Sequence, residues 1–471
     1  QDNGTWGGPS RTRFRDGATK SEWFKIHTGD GFGAAVDPSD RRTVYATSQF
    51  GGLVRVDAHT LMPNRVARPG TVDGTRVQFN WDTPFFVSPH NHNRLFFAGN
   101  FAFRSFDRGA HTDTISGKLS RTDQGTATVF TESPRQPGLL YAGTDDGAAW
   151  VSRDDGKRWR RIDGNLPKVA GPRYVSVLQP SAHADGRVFL ALDGHRSNDF
   201  ATHLFVSNDY GASWSALGDA LPPNQPVRGF CEDPRNSRLL FAGTEFGCYA
   251  SLDRGRSWHR LGEGLPTVPV HDLVIQDRDA ELVAATHGRG LFVLEIEPLR
   301  QLTRTVLAGD AELLAPHAAY LWCEIERPSV GHKIWHAPQA PYGSSIFLYH
   351  GKAPSEVPEV TITDLAGKEL ARLKGAKVAG VQRIVWNARR TPERSATTRG
   401  PRTGRGAGRG EGRAGPRTRT TGRRAPLGPR VPPGTYRVSY TFAGKTTSRA
   451  LELLPDPLSA DTTRHPLRRI P

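Results

Sequence analysis

The sequence predicts an all-β fold: a seven-bladed β-propeller whose first blade is incomplete, followed by a small β-sandwich. Two periodicities and one compositional fact predict it. An octet with Ser, Asp, Gly and Trp at its first, third, fifth and eighth positions occurs three times: as Ser152, Asp154, Gly156 and Trp159; as Ser207, Asp209, Gly211 and Trp214; and as Ser251, Asp253, Gly255 and Trp258. A fourth copy, Ser105, Asp107 and Gly109, lacks the Trp. A second pattern, two short apolar strands around a Pro-led turn, begins at Pro38, Pro89, Pro134, Pro180, Pro234 and, without proline, Asp277, so successive copies start 51, 45, 46, 54 and 43 residues apart. Such a period belongs to four-stranded propeller blades. Finally, 51 Gly and 35 Pro in 471 residues favour many short strands and turns over helices.

Each octet reads as a tight turn between antiparallel strands. The Asp carboxylate accepts backbone N–H groups of its own turn, and Gly takes a backbone angle that other residues resist. The Trp opens the next strand with a large apolar plate. The octets are therefore structural.

Taken in order, Trp6 and the run Trp23 to Ile26 read as the outer part of a blade, its inner strands expected ahead of residue 1. Inner strands follow near Phe32–Val36, Phe85–Val87, Thr128–Phe130, Val175–Leu178, Gly229–Phe230 and Leu273–Ile275. The propeller is expected over residues 1–305, in units near 1–28 (partial), 29–75, 76–122, 123–166, 167–221, 222–264 and 265–305. In the last unit Leu291–Leu294 gives a third strand and Leu299–Leu302 the fourth. Residues 319–458 hold strand patterns at Tyr320–Ile325, Ser345–Tyr349, Val360–Leu370 with a hairpin, Val381–Trp386, Gly434–Tyr440 and Leu451–Leu454, the pattern of a small β-sandwich. A disordered Arg/Gly-rich insertion is expected at 390–430 and a basic tail at 459–471.

The octets resemble the Asp-box (BNR) repeats of the sialidase and sortilin superfamily. The runs Tyr141–Gly147, Phe241–Gly247, Leu265–Leu273 and Ala285–Gly290 resemble sortilin-like bacterial exported proteins often labelled glycosyl hydrolase. The stretch around Pro432–Val438 resembles Ig-like modules of such proteins. The resemblance implies a seven-bladed Asp-box β-propeller followed by an Ig-like β-sandwich, an exported, periplasmic or cell-surface location, and a preceding propeller domain in the full-length chain. It does not fix an activity, because sialidases, xyloglucan hydrolases, sortilins and photosystem assembly factors all carry Asp boxes.

Composition narrows the function classes. No run of 18 apolar residues is present, so no transmembrane segment is expected. Cys231, Cys248 and Cys323 lack metal-ligand spacing, and the first two read as buried free thiols. No metal or cofactor is expected. The net charge of +16 would suit nucleic acid. However, residues 389–430 hold 13 Arg against Glu393 and Glu411, a net of +11 that leaves +5 for the rest. That segment has no aromatics for base stacking, so specific nucleic-acid binding is not expected.

Strand order places the chemistry. In a four-stranded blade the octets join the third and fourth strands and share one face. The second-to-third loops and the blade-to-blade connections share the other. That other face collects the ligand candidates Arg173, His195, Arg228, His271, His287 and Arg289, together with Asp272, and the carboxylates Asp145, Asp146 and Glu245. Glycoside hydrolysis needs two carboxyl groups, about 5–5.5 Å apart for retention and roughly 6.5–9.5 Å for inversion. Asp145 or Asp146 with Glu245 is the best pair. The resemblance to sialidases would cast Arg173, Arg228 and Arg289 as a carboxylate clamp, but no Tyr–Glu nucleophile pair is found, and xyloglucan hydrolases place their acids between two propellers. His271 is read as capped by backbone or by Asp272, and His287 with Arg289 as fastening the last blade. The favoured reading is a non-catalytic module binding protein or glycan through this face, with a glycoside hydrolase on the same face as the alternative.

Overall fold

The computed structural model describes residues 2–167, 169, 171–262, 264–326, 334–392 and 427–459. The chain divides into two compact units. The first holds Thr12 and the residues before it, Asp16–Thr303, and a short stretch ending at Pro338; the second holds Arg13–Arg15 and the remainder.

The first unit is a series of antiparallel meanders. β1 (Thr5–Gly7) and β2 (Phe24–His27) form a two-stranded sheet. β3 (Ala34–Asp37), β4 (Asp40–Ala46), β5 (Val54–Asp57) and β6 (Pro63–Arg65) form the first four-stranded sheet, followed by the hairpin β7 (Thr71–Val72) and β8 (Thr75–Arg76). Four more four-stranded sheets follow. They are β9 (Phe85–Val87), β10 (Leu95–Ala98), β11 (Ala102–Ser105) and β12 (Asp113–Thr114); β13 (Ala127–Glu132), β14 (Leu140–Thr144), β15 (Ala149–Ser152) and β16 (Arg160–Arg161); β17 (Tyr174–Pro180), β18 (Val188–Asp193), β19 (His203–Ser207) and β20 (Ser215–Ala216); and β21 (Val227–Glu232), β22 (Leu240–Thr244), β23 (Gly247–Ser251) and β24 (His259–Arg260). A three-stranded sheet of β25 (Val270–Gln276), β26 (Glu281–Thr286) and β27 (Gly290–Glu295) ends the series.

The inner strands β3, β9, β13, β17, β21 and β25 neighbour one another in chain order, which makes the unit propeller-like. Apolar side chains fill the space between consecutive sheets. Tyr141 and Val151 of one sheet, for example, share a core with Val175, Leu190 and Phe205 of the next. The two-stranded sheet packs Ile26 against Ala46, Val54 and Val56, while Arg11 pairs with Glu281 of β26 at 3.0 Å.

The octets are turns in which two acceptors divide the work. Ser105, Ser152, Ser207 and Ser251 accept the N–H of Gly109, Gly156, Gly211 and Gly255 on their hydroxyls at 2.8, 2.9, 2.8 and 2.7 Å. The Asp carboxylates accept the more exposed N–H two residues beyond Gly, as Asp209 does from Ser213 at 2.8 Å. The residue before each Gly also has positive φ: Arg108, Asp155, Tyr210 and Arg254. Trp159 and Trp214 then donate their indole N–H to Ile115 and Ile162 of the preceding sheet, at 2.8 and 2.7 Å. The Trp is thus a staple between sheets as well as an apolar plate.

The sequence expectation fails at Leu299–Leu302. These residues do not make a fourth strand; most of them lie in helix α1 (Glu297–Gln301). Pro298 sits in its first turn, where a missing N–H costs nothing. The helix aims Arg300 at Asp233 and Asp277, at 2.8 and 2.9 Å.

The second unit begins with α2 (Arg304–Ala308) and contains two sheets. Its strands are β28 (Ala311–Leu313), β29 (Ala319–Leu321), β30 (Ser344–His350), β31 (Glu359–Thr363), β32 (Glu369–Lys374), β33 (Gly380–Trp386), β34 (Gly434–Phe442) and β35 (Lys445–Pro455). The sheets run β28-β30-β33 and β29-β35-β34-β31-β32, and Ile346, Leu348, Val360, Ile362, Trp386 and Val438 from both share one core. β29 pairs parallel to β35.

Most of the Arg/Gly-rich insertion, residues 393–426, lies outside the described residues, as does the tail beyond Ser459. The described ends of the insertion bond to one another. Arg389 bridges Arg430, the Arg390 N–H donates to the Pro429 carbonyl at 3.0 Å, and the Arg389 guanidinium donates to the Gly428 carbonyl at 2.9 Å.

Candidate ligand-binding face

Antiparallel meanders alternate the ends at which their connections fall. The turns β11–β12, β15–β16, β19–β20 and β23–β24, which carry the octets, share one end with the turns that follow each inner strand. The second-to-third connections and the sheet-to-sheet connections meet at the opposite end, here called the mouth. Asp145 and Asp146 follow β14, His195 follows β18, Glu245 follows β22, His287 and Arg289 join β26 to β27, and Arg173 precedes β17.

Four successive inner strands carry an irregularity at their mouth-side start. The register shifts between Ala127 and Val129, Val175 and Val177, Val227 and Gly229, and Val270 and Asp272. A bulge re-aims the extra residue, which is Thr128, Ser176, Arg228 or His271. Thr128 and Ser176 donate to the carbonyls of Val175 and Val227 in the next sheet, both at 2.7 Å. At the same position Arg228 and His271 deliver charged or polar groups to the mouth.

Most sequence-derived candidates are bonded within the chain. Arg228 donates to Glu245 at 2.7 Å and to Asp193 at 2.8 Å, and Asp193 also takes His195 Nδ1 at 2.7 Å. Arg173 and His203 both meet Asp199, at 3.0 and 2.9 Å. Asp145 accepts the Thr126 N–H and hydroxyl, both at 2.9 Å, and the Asn80 amide at 3.1 Å. Asp146 accepts from Thr122 and from the Thr144 hydroxyl. Arg173 and Arg228 thus hold carboxylates of this chain and do not form a free clamp. Arg289 makes no ion pair among the described residues.

His271 is not capped by Asp272, which accepts its own neighbour's N–H, that of Leu273, at 2.8 Å. His271 lies against His287 with ring centroids 4.8 Å apart. His271 is exposed, but protein around the ring, then Arg228 and His287, push its pKa down, which disfavours the charged form.

Asp82 is the mouth residue that sequence reasoning missed. It lies in the connection ahead of β9, where nothing in the local pattern marks it. The side chain reaches water yet is walled by protein on most sides, and this desolvation together with the nearby Asp272 carboxylate pushes it up to about 6. Asp272 also reaches water, and partial desolvation by the surrounding strands raises it as well. Desolvation and then Asp82 push Tyr174 up to about 12, and the Arg196 guanidinium lies over the Tyr174 ring at 5.3 Å. Asp82 on one connection interacts with both Asp272 on β25 and Tyr174 on β17, so it links inner-strand starts from different sheets.

An open depression of about 340 Å³ beside Arg173 is lined by Arg121, Arg161 and Asp163. Arg121 and Arg161 share the one Asp163 carboxylate, which leaves the pair of guanidiniums with an excess positive charge. Among the described residues, no group of three or more His, Cys, Asp or Glu is placed to hold a metal, and no helix is long and apolar enough to cross a membrane. Cys231 and Cys248 are buried and Cys323 exposed, all as free thiols.

No known family pattern matches this chain, and no curated protein does. Solved structures that resemble it distantly include a Niastella koreensis GH74 enzyme, at 13% identity and a TM-score of 0.44 over 56% of this chain and 45% of that one. Another is YCF48 bound to D1 peptide, at 14% identity and 0.30 over 62% of this chain and 97% of that one. A third is the Cps50 (Swd1) beta-propeller domain of Myceliophteria thermophila, at 13% identity and 0.41 over 58% and 86%. This chain spans less than half the length of the GH74 enzyme.

Proposed function

We propose that this chain is a seven-bladed Asp-box propeller with an Ig-like sandwich, of the sortilin-like kind, acting as a non-catalytic binding module of an exported or envelope-associated protein that recognises protein or glycan through the mouth. A preceding propeller belongs to the same proposal. The observation that carries it is the state of the three carboxylates on which the sequence-level case for hydrolysis rests. Asp145 and Asp146 each accept three hydrogen bonds from this chain and Glu245 is bound to Arg228. Groups held this way as acceptors are poor proton donors to a leaving group. They serve instead to fix the shape of the mouth.

One observation favours a glycoside hydrolase as the second reading. Asp82 and Asp272 are two mutually interacting carboxyls with raised pKa values, the property a glycosidase acid requires. A screen of the purified protein against β-glucan, xyloglucan and sialoside substrates tests both readings. Binding without turnover is expected, and Glu245→Gln and Asp145→Asn should weaken binding. Robust hydrolysis that Asp82→Asn abolishes would overturn the binding reading.

A further inference from the structure

Large apolar side chains exposed at the mouth are few, and one is held in a strained conformation. Phe50, between β4 and β5, has φ +53 and is 57% exposed. An aromatic residue with positive φ is rare and costly, so it persists only where its surroundings impose it. Here they do: the Arg68 guanidinium donates to the Phe50 and Gly51 carbonyls at 2.8 and 2.7 Å, and the Phe50 N–H points to the Trp81 carbonyl at 3.4 Å. The Phe50 ring meets Trp81 edge to face, with centroids 4.9 Å apart, and Phe32 meets Trp81 from another side at 6.4 Å. Trp81 is itself 42% exposed. A fold that spends backbone strain and two Arg hydrogen bonds to keep a phenyl ring in water is presenting that ring.

We propose that Phe50 and Trp81 form a stacking shelf for an uncharged, pyranose-based glycan. The proposal rests on the reading of the mouth as a recognition surface and names its ligand class. Two features favour a sugar over a protein partner. Phe200 and Phe246, on the β18–β19 and β22–β23 connections, are exposed on the same end, so the aromatic plates stand apart on separate sheets with polar residues between them. Protein interfaces centre on contiguous, closely packed apolar hot spots, whereas a glycan offers separate C–H-rich ring faces to the negative faces of separate aromatic rings. Two of the arginines between the plates are also engaged within the chain, Arg228 by Asp193 and Glu245, and Arg173 by Asp199. A polyanion or polycation would have to break these pairs. Hydroxyls need only share them, and Asp82, directly after Trp81, adds an acceptor at the shelf's rim.

The test is affinity electrophoresis of the full chain through β-glucan, xyloglucan, mannan and polygalacturonate, with dissociation constants for any neutral hit from calorimetry on its oligosaccharides. The expected result is retardation by a neutral polysaccharide that falls at least tenfold in Trp81→Ala, recovers in Trp81→Tyr, and is untouched in Phe106→Ala, an exposed phenyl at the octet end. Phe50→Gly relieves the positive φ, so it should melt no lower than the parent while binding more weakly, which separates lost stacking from lost folding. Retardation by polygalacturonate alone, no neutral ligand at all, or neutral binding indifferent to Trp81 overturns the shelf. In the last case, loss of binding in Arg228→Ala would leave the mouth reading standing, and loss in Phe106→Ala would remove both.

Discussion

Two mouth carboxylates of the propeller-like unit, Asp82 and Asp272, differ from the carboxylates of the octet end. At the octet end they are bonded and held ionised. The Ser213 hydroxyl and N–H pull Asp209 down to about 2, and the Arg158 side chain and N–H do the same to Asp154. Deeper in that end, Asp233 is fully buried against Arg300, and Glu132 and Glu232 take the hydroxyls of Ser88 and Ser181 from the preceding sheet at 2.5 and 2.6 Å. At the mouth, Asp82 and Asp272 make no ion pair with a side chain among the described residues and are pushed up. The difference separates carboxylates that hold the fold from carboxylates left available to a ligand.

The comparison can be broken at its strongest point first. Arg300→Ala strands the Asp233 carboxylate, and removing one partner of a buried pair costs about 3–5 kcal/mol. Chemical denaturation should show that loss, and no single mouth substitution should match it. Ser207→Ala leaves the buried Gly211 N–H without its acceptor and should cost about 1–3 kcal/mol. Asp209→Ala should cost less in the same melts, because its carboxylate is exposed; the reverse order would mean that Asp carries the turn.

The third prediction concerns pH and has opposite signs at the two ends. Asp82 binds its proton more tightly in the folded chain than an ordinary Asp near 4, so its ionisation removes stability as pH rises from about 4 to about 6. Asp82→Asn should therefore melt above the parent at pH 7 and level with it at pH 4. Asp209 is depressed, so its contribution is present above about 4 and lost as pH falls towards about 2. Asp209→Asn should be most destabilising at pH 7 and indifferent below pH 2. Equal signs for the two variants would erase the contrast. The smallest effect expected is from removing residues 393–426. With Arg389 and Arg430 already bridged and no apolar periodicity in the segment, the melt of each unit should stay within error of the parent.

What was legible in the sequence was whatever repeats. Four octets in register and a regular Pro-led period are local signals, since turn chemistry depends on residues within a few positions of one another, and they located the strands of five four-stranded sheets and the end at which each loop falls. They also assigned the turn N–H groups to Asp, where the structure gives the buried one to Ser207 and its equivalents. Leu299–Leu302 read as a strand on apolar content alone, and the Arg300 contacts with Asp233 and Asp277, distant in sequence, go with a helix.

The mouth shows the limit most clearly. Residue type named Asp145, Glu245, Arg173 and Arg228 as candidates, but only tertiary structure decided that Arg228 pairs with Glu245, that Arg173 pairs with Asp199, and that the Asp272 carboxylate, about 190 residues away, acts on Asp82. The physical reason is that desolvation and charge pairing are set by which strands meet around the axis, and a sequence read one repeat at a time carries no record of what faces a side chain from another sheet.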